Sequence, residues 1–404
     1  MSQPILGWRP IILMPAIPLA YTSRSLWARR ATTVATTVGI ALVVFVLAAS
    51  QMLSNGMRRT LLRAGSDNRA IVMQSDAYAE VGSRTRQSAL SLVAAAPGVG
   101  KDSSGAPLAT AESLVQILVP RLDDPERISS VQIRGVSENV YAVRPEVKII
   151  TGRAAHPGRD EAIIGQAIEG SYEGMSLGGH FTLKKGRDIQ IVGIFSAAGS
   201  AYESEVWTSL DVVRTSLGWE GFLSSVTVVL DSPSAFDGFA SVLEADKSQG
   251  LGVARERVYY EKVSEGLAAS IAVLGNLVTL IFACGAMLGA AITMNAAIAQ
   301  RRREIGVLRA LGFSAPDVLL AFLLESAALA LAGAVLGVGL ASLLSLTDFS
   351  VTNYGTGNEI AFPFEPSLRS LLGSVIAGAG VGILGGFFPA IEAARTNPAA
   401  AMRV

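Results

Sequence analysis

The chain has 404 residues, of which 50% are hydrophobic and 16% charged, with 33 basic against 33 acidic side chains. A soluble domain carries about 25% charged residues. This shortfall, a mean hydropathy of +0.44 and clustered apolar runs exclude disorder and mark an integral membrane protein with a water-facing part. The single cysteine, Cys284, excludes a disulfide framework, and the balanced charge speaks against a nucleic-acid partner.

Residues 1–30 carry Arg9, Arg24, Arg29 and Arg30 and no acid. Within them, 19–30 has the pattern of an amphipathic interfacial helix, with Leu19, Leu26 and Trp27 set against the arginines. Pro10, Pro15 and Pro18 keep the preceding residues out of a long helix. The apolar core that follows is long enough to span, so a cleaved signal peptide is not expected.

Four stretches meet the roughly 20 apolar residues that a bilayer crossing needs. They are 31–57, 266–300, 318–347 and 370–391. The second would make a helix of roughly 52 Å at about 1.5 Å per residue. It reads as a membrane helix continued into a stalk, the alternative being tilt plus an uncharged loop. Arg301, Arg302, Arg303 and Arg309 lie between spans two and three, whereas only Arg369 lies between spans three and four. Both termini and the 301–317 loop are therefore expected in the cytoplasm. Arg58, Arg59 and Arg63 conflict with that orientation, because they follow span one on the outer side.

The outer segment, 58–265, reads as a mixed α/β domain. Strands are expected at 70–73, 131–133, 225–230 and 252–258. Helices are expected at 88–96 and from Pro233-Ser234 through 245. A hairpin of 181–183 with 189–194 turns about Lys185-Gly186-Arg187. On this pattern 65–135 packs with 222–262, and 136–221 is inserted. His156 and His180 have no partners at metal-ligand spacing. The nearest approach to a phosphate-binding loop is Gly98-Val99-Gly100-Lys101-Asp102. It lacks the first glycine, with Ala95 in that place, and the hydroxyl residue. No pattern for catalysis or cofactor binding is present. The 348–369 segment is expected as an outer loop.

Within the spans, Gly285/Gly289, Gly333/Gly337 and Gly378/Gly382 have the small-x-x-x-small spacing of helix-packing or dimer surfaces. Glu325 is an ionisable residue inside span three. It is either functional or paired with an arginine of the 301–309 cluster. In the 301–317 loop, Ile305, Leu308 and Leu311/Gly312 fall on one helical face and Arg301, Arg302 and Glu304 on the other. Gly312 stops that helix, and Ser314 with Pro316 and Asp317 opens the next one. The loop is thus a short amphipathic helix that lies on the membrane or fits a partner's groove. Pro389 is expected to end span four, 390–395 to continue helically, and in the tail (392–404) Asn397-Pro398 to cap a last turn through Met402.

One span, a large outer domain and three further spans resemble the FtsX-like permeases of ABC transporters, of the MacB and lipoprotein-releasing type. RRREIGVLRALGFS at 301–314 is similar to that family's R-E-I-G-x-x-x-A-x-G loop. PAIEAARTNPAAAMR at 389–403 resembles its tail, with Met402 where leucine is usual. VQIRGV at 131–136, ITGR at 150–153, EAIIGQ at 161–166 and IQIVGIF at 189–195 are similar to its periplasmic core domain.

The resemblance implies a non-catalytic permease subunit of a bacterial cytoplasmic (inner) membrane. Its ATPase, with ATP and magnesium, is expected on a separate chain, because only 30 residues precede the first span. The loop then acts as a coupling helix through Arg303, Glu304, Ile305, Gly306, Leu308, Arg309, Leu311 and Gly312. Two permeases, the same or related, form the membrane unit. ATP hydrolysis is relayed to the outer domain by mechanotransmission for export or extraction, with a periplasmic adaptor or carrier protein as a further partner. The alternative is a non-transporting FtsX-like subunit that controls an extracytoplasmic cell-wall hydrolase; the size of the outer domain weighs against it. A membrane receptor would need a cytoplasmic signalling domain, and a secondary transporter would need repeat halves.

Overall fold

The computed structural model describes residues 30–184, 186–352 and 359–395. The expected interfacial segment (apart from Arg30), Lys185 of the hairpin turn, and the tail with Asn397-Pro398 and Met402 lie outside the described residues.

In chain order, α1 (Arg30–Ala64) leads into β1 (Arg69–Gln74), β2 (Thr85–Arg86) and α2 (Ala89–Ala94). Next come β3 (Ala109–Pro120), β4 (Ile128–Val136), α3 (Val140–Val143), β5 (Lys148–Gly152) and β6 (Glu161–Gly165). The hairpin β7 (His180–Lys184) and β8 (Arg187–Ser196) is followed by β9 (Glu205–Ser209) and α4 (Leu210–Leu217). Then come β10 (Phe222–Leu223), β11 (Ser225–Val229), α5 (Phe236–Ala245) and β12 (Leu251–Arg255). The chain continues through α6 (Glu256–Gln300), α7 (Arg302–Ala310), α8 (Ala315–Leu343), β13 (Asp348–Thr352), β14 (Glu359–Pro363) and α9 (Leu368–Ala394). Helices α1, α6, α8 and α9 are long and apolar enough to cross a membrane.

Two compact units divide the chain. One is Met1–Met52 with Val273–Leu344 and Pro366–Val404, and the other is Leu53–Ala272 with Ser345–Glu365. The second, outer unit is built on a ten-stranded sheet in the order β12-β1-β11-β3-β4-β9-β6-β8-β5, with β7 on β8. Strands from 65–136 and 222–262 are neighbours on one side. The 136–221 strands extend the same sheet, through a parallel β4–β9 pairing. Period-two alternation sorts side chains between the faces. On β1, Ala70 and Val72 pack with Phe239 and Leu243 of α5, while Ile71 and Met73 pack with Met57, Leu61, Tyr259 and Tyr260. On β6, Ile163 joins that second cluster, and Ala162 and Ile164 pack with Ile189, Ile191 and Val206.

Three sequence expectations need correction. The strand expected at 252–258 ends at Arg255, and α6 begins at Glu256, ahead of the expected 266. Residues 256–265 contain no glycine or proline, and burial of Tyr259 and Tyr260 holds that turn helical. Residues 390–394 are helical as expected, but Pro389 marks no break: it lies inside α9, which runs unbroken to Ala394. Ala390 and Ala393 are buried against Val318 and Phe322, and that packing carries the helix through the proline. The expected 348–369 loop contains a hairpin, β13 with β14. Ile360 and Phe362 enter the outer core, and the Ala361 amide donates to Ser204 Oγ at 3.1 Å.

Candidate coupling helix and buried ion network

Helix α7 is nine residues, Arg302–Ala310. Ile305 and Gly306 are its buried residues. Ile305 packs with Met294, Ala297, Val318, Phe322, Ala390 and Ala393, which anchors α7 to the ends of α6, α8 and α9. Gly312 has φ +102, a left-handed conformation that stops the helix at low steric cost. Ser314 and Asp317 form a complete capping box: the Ser314 amide donates to Asp317 Oδ2 at 2.8 Å and the Asp317 amide to Ser314 Oγ at 3.4 Å. Arg309 donates to the Phe313 carbonyl at 3.3 Å, bracing the turn between the two helices.

The outward face differs from the expected one. Leu308 is half-buried, but Leu311 lies just past the helix and is 73% exposed. Val307, one turn before it, is 44% exposed. Arg303 and Glu304 are exposed as well. An apolar pair thus projects among charged residues, and Val307, which amphipathic bookkeeping placed on neither face, is part of it.

Glu325 pairs with Arg301, Nη1 to Oε2 at 3.3 Å, both side chains nearly buried. This is the structural one of its two sequence readings.

Four of the six predicted glycines sit at close helix contacts. A Cβ on Gly333 would lie 2.7 Å from the Thr37 carbonyl oxygen and 3.0 Å from Ile40 Cβ. One on Gly337 would meet the Ala41 carbonyl and Val44, one on Gly378 would meet Val44, and one on Gly382 would meet Ala330. These positions let α1, α8 and α9 approach one another. Ser326 adds a hydrogen bond to the Gly382 carbonyl at 2.7 Å. Gly285 and Gly289 are different: a Cβ on either meets nothing within 4 Å, so they form no packing surface within the described chain. Their place is taken by Gly385 and Gly386, which contact Ala290, Met287 and Ser326.

The outer unit contains a buried ion network that sequence reasoning missed. Glu256, the first residue of α6, accepts from Arg69 Nε at 2.5 Å, from the Ser66 amide at 3.0 Å and from Tyr202 OH at 3.2 Å. Arg144 Nη1 donates to Oε1, the oxygen that Tyr202 also reaches. Arg144 Nη2 reaches Glu112 at 3.0 Å and Thr227 at 3.2 Å. Arg134 donates to Glu112, and by two bonds of 2.7 Å to Glu205. Gln132 and the Trp207 indole complete Glu205, at 2.6 and 2.8 Å. Glu80 lies 3.5 Å from Arg134 and accepts from Ser225 at 2.6 Å. Tyr202 stacks under Arg144 and Arg134, 4.6 and 5.2 Å from its ring. Burial drives the Glu80 carboxyl above its ordinary range, opposed by Arg134. Burial acts the same way on Glu112, but Arg144 and Arg134 outweigh it and hold that carboxyl below its ordinary range. Glu205 opens β9 and Glu112 sits in a polar stretch of β3, so only Arg134 shows in the sequence as a charge inside a strand, in VQIRGV of β4. A charge there needs buried partners.

Arg58, Arg59 and Arg63, the cations that conflicted with the charge rule, are paired within the outer unit. Arg58 meets Glu261 at 3.8 Å, and Arg59 and Arg63 meet Glu365 at 2.9 and 3.6 Å.

Residues 31–245 match the family model of the MacB-like periplasmic core domain, and residues 276–398 that of the FtsX-like permease C-terminal. The chain belongs to the FtsX-like permeases with a MacB-like core domain. Among curated relatives of this permease is the macrolide export ATP-binding/permease protein MacB of Neisseria gonorrhoeae. It is 26% identical over 285 residues, covering 67% of this chain and 43% of that protein. The uncharacterized ABC transporter permease YknZ of Bacillus subtilis is 24% identical over 230 residues, covering 54% of this chain and 55% of that one. The permease therefore spans about half the length of the curated relatives it matches. Among solved structures, the periplasmic region of MacB from Actinobacillus actinomycetemcomitans aligns at 12% identity. It covers 50% of this chain and 95% of that one, with a TM-score of 0.37.

Proposed function

We propose that this permease is the transmembrane subunit of an ABC transporter, driven by an ATPase that carries ATP and magnesium and docks on α7. The observation that carries the reading is the construction of α7. A buried Ile305 fixes it between α6 and α8, and Val307 and Leu311 project from it among arginines. That is the form of a helix made to seat in a partner's groove.

The outer unit takes in the C-terminal end of α1, the N-terminal end of α6 and the α8–α9 connection. Helix α7 joins the opposite ends of α6 and α8, which for spanning helices is the other face of the bilayer. With the arginines of 301–309 this favours a cytoplasmic α7 and cytoplasmic termini in a bacterial inner membrane. ATP-driven movement of α7 is then relayed along α6, whose first residue, Glu256, is locked into the sheet of the outer unit. This mechanotransmission powers export or extraction outside the membrane. A second permease completes the membrane unit, and a periplasmic adaptor or carrier protein receives the substrate.

The test is affinity purification of the full chain from native membranes, with mass spectrometry of what accompanies it. The reading predicts an ATPase with a Walker loop, lost when Val307→Asp and Leu311→Asp are combined. An intact membrane preparation without any ATPase would overturn it.

A further inference from the structure

Strands β4 and β9 are neighbours and parallel, with Val136 opposite Ser209 at their C-terminal ends. The chain leaves them toward opposite faces of the sheet. After β4, Val140 of α3 packs with Ile163, Phe195 and Trp207. After β9, Val212 and Val213 of α4 pack with Ile164 and Val206. Adjacent parallel strands whose continuations diverge leave a crevice beyond their carboxyl ends, the place where open α/β sheets bind ligands. Here the crevice is a cleft of about 510 Å³, whose accessible apolar lining is Val136, Tyr141, Ala155 and Pro157, with Val140, Ile163 and Trp207 buried beneath. Small-molecule sites occupy roughly 300–1,000 Å³ and combine such apolar walls with a few polar groups.

The polar groups decide the ligand's charge. The Ser209 hydroxyl accepts from the Gly158 amide, and Thr208 donates to the Glu161 carbonyl; both groups are neutral. Arg153 is spent on Glu161 through two bonds of 2.6 and 2.9 Å, and His156 turns its amide to the same carboxylate at 3.0 Å. Glu138 and Asp211 stand exposed among the lining residues. Asp211 has only Arg214 of its own helix, at 3.8 Å, and Glu138 makes no ion pair among the described residues. Two carboxylates with little compensation thus border an apolar cleft.

We infer that this cleft is a ligand site for a compact amphiphile. Its ring-sized apolar body fills the space over Tyr141 and Ala155, and its cationic nitrogen is held by Glu138 and Asp211. The inference goes beyond the transport reading and does not need it.

The full chain in lipid nanodiscs is titrated with phenethylammonium, 2-phenylethanol and 3-phenylpropionate, with saturation-transfer NMR as readout. Phenethylammonium is expected to bind saturably, about fivefold tighter than the alcohol, the scale of a solvated ion pair, with the carboxylate weakest. Combining Glu138→Gln with Asp211→Asn, both exposed positions, should abolish that preference and leave alcohol binding in place. Ala155→Trp, a half-buried lining position, should block all three. Absence of saturable binding would overturn the inference, as would equal affinity for ammonium and alcohol in the wild type. So would binding unmoved by Ala155→Trp in a protein that retains its melting temperature. No ATPase takes part, so failure here leaves the transport reading standing.

Discussion

Arg144 and Glu256 meet where neither side chain touches water, each with 0% exposure, and a hydrogen bond from Arg144 Nη1 joins them. One residue caps the C-terminal end of α3, and the other begins the helix that becomes a membrane span. The pair is where α6 is tied to the sheet.

The buried network sets Arg69, Arg134 and Arg144 against Glu80, Glu112, Glu205 and Glu256. Carboxylates are already in excess, so losing an arginine is worse than losing an acid. Arg144→Met leaves one oxygen of Glu112 and one of Glu256 without their cation. It should cost about 3–5 kcal/mol, and Glu256→Gln should cost less. Denaturant unfolding of the outer unit in the full chain ranks the two.

Glu80 gives a pH dependence of definite sign. Burial raises its carboxyl above the ordinary value of 4.5, against the pull of Arg134. The folded state therefore binds that proton more tightly than the unfolded chain. Its contribution is present below the unfolded value and is lost as pH rises through the folded one. Glu80→Gln, which keeps an acceptor for Ser225, should melt like the wild type at acid pH and higher than it at pH 8. A lower melting temperature at pH 8 would contradict this.

Glu161 has the opposite sign. The Arg153 hydrogen bonds hold its carboxyl down at about 2. Its contribution is present above the unfolded value near 4.5 and is lost as pH falls toward 2. Glu161→Gln should lower stability at neutral pH, and the gap to wild type should close across that acid window in thermal melts.

The glycines divide into two groups. Gly378→Leu and Gly382→Leu drive a side chain into Val44 or Ala330, and overpacking of this kind costs about 1–3 kcal/mol. Gly289→Leu meets open space within the chain and should stay within about 0.5 kcal/mol. Melting temperatures in one detergent separate them.

The long apolar helices and the short helix α7 were legible because their signals are local. An uncharged run of 20 residues, a glycine stop at Gly312 and Ser314 three residues before Asp317 need no knowledge of tertiary contacts. Strand β3 was not legible. Its twelve residues include Glu112, Ser113 and Gln116, which break an alternating pattern. Only the folded sheet, with Arg134 and Arg144 beside Glu112, shows why a carboxylate belongs there. Val307 and Leu311 were misjudged for a related reason. Helical periodicity assigns faces to an ideal helix, whereas α7 ends at Ala310 and turns Leu311 outward. The Gly285/Gly289 spacing matched the motif, but spacing cannot say which neighbour arrives, and here α9 approaches α6 at Gly385 and Gly386 instead.

The most direct test of the central claim is hydrogen exchange at residues 251–260 in the permease reassembled with its ATPase in nanodiscs, with and without ATP. The account predicts an ATP-dependent change in protection around Glu256, abolished when Leu311→Asp and Val307→Asp are introduced together. Identical exchange in both states, while the assembly hydrolyses ATP, would contradict transmission through α6.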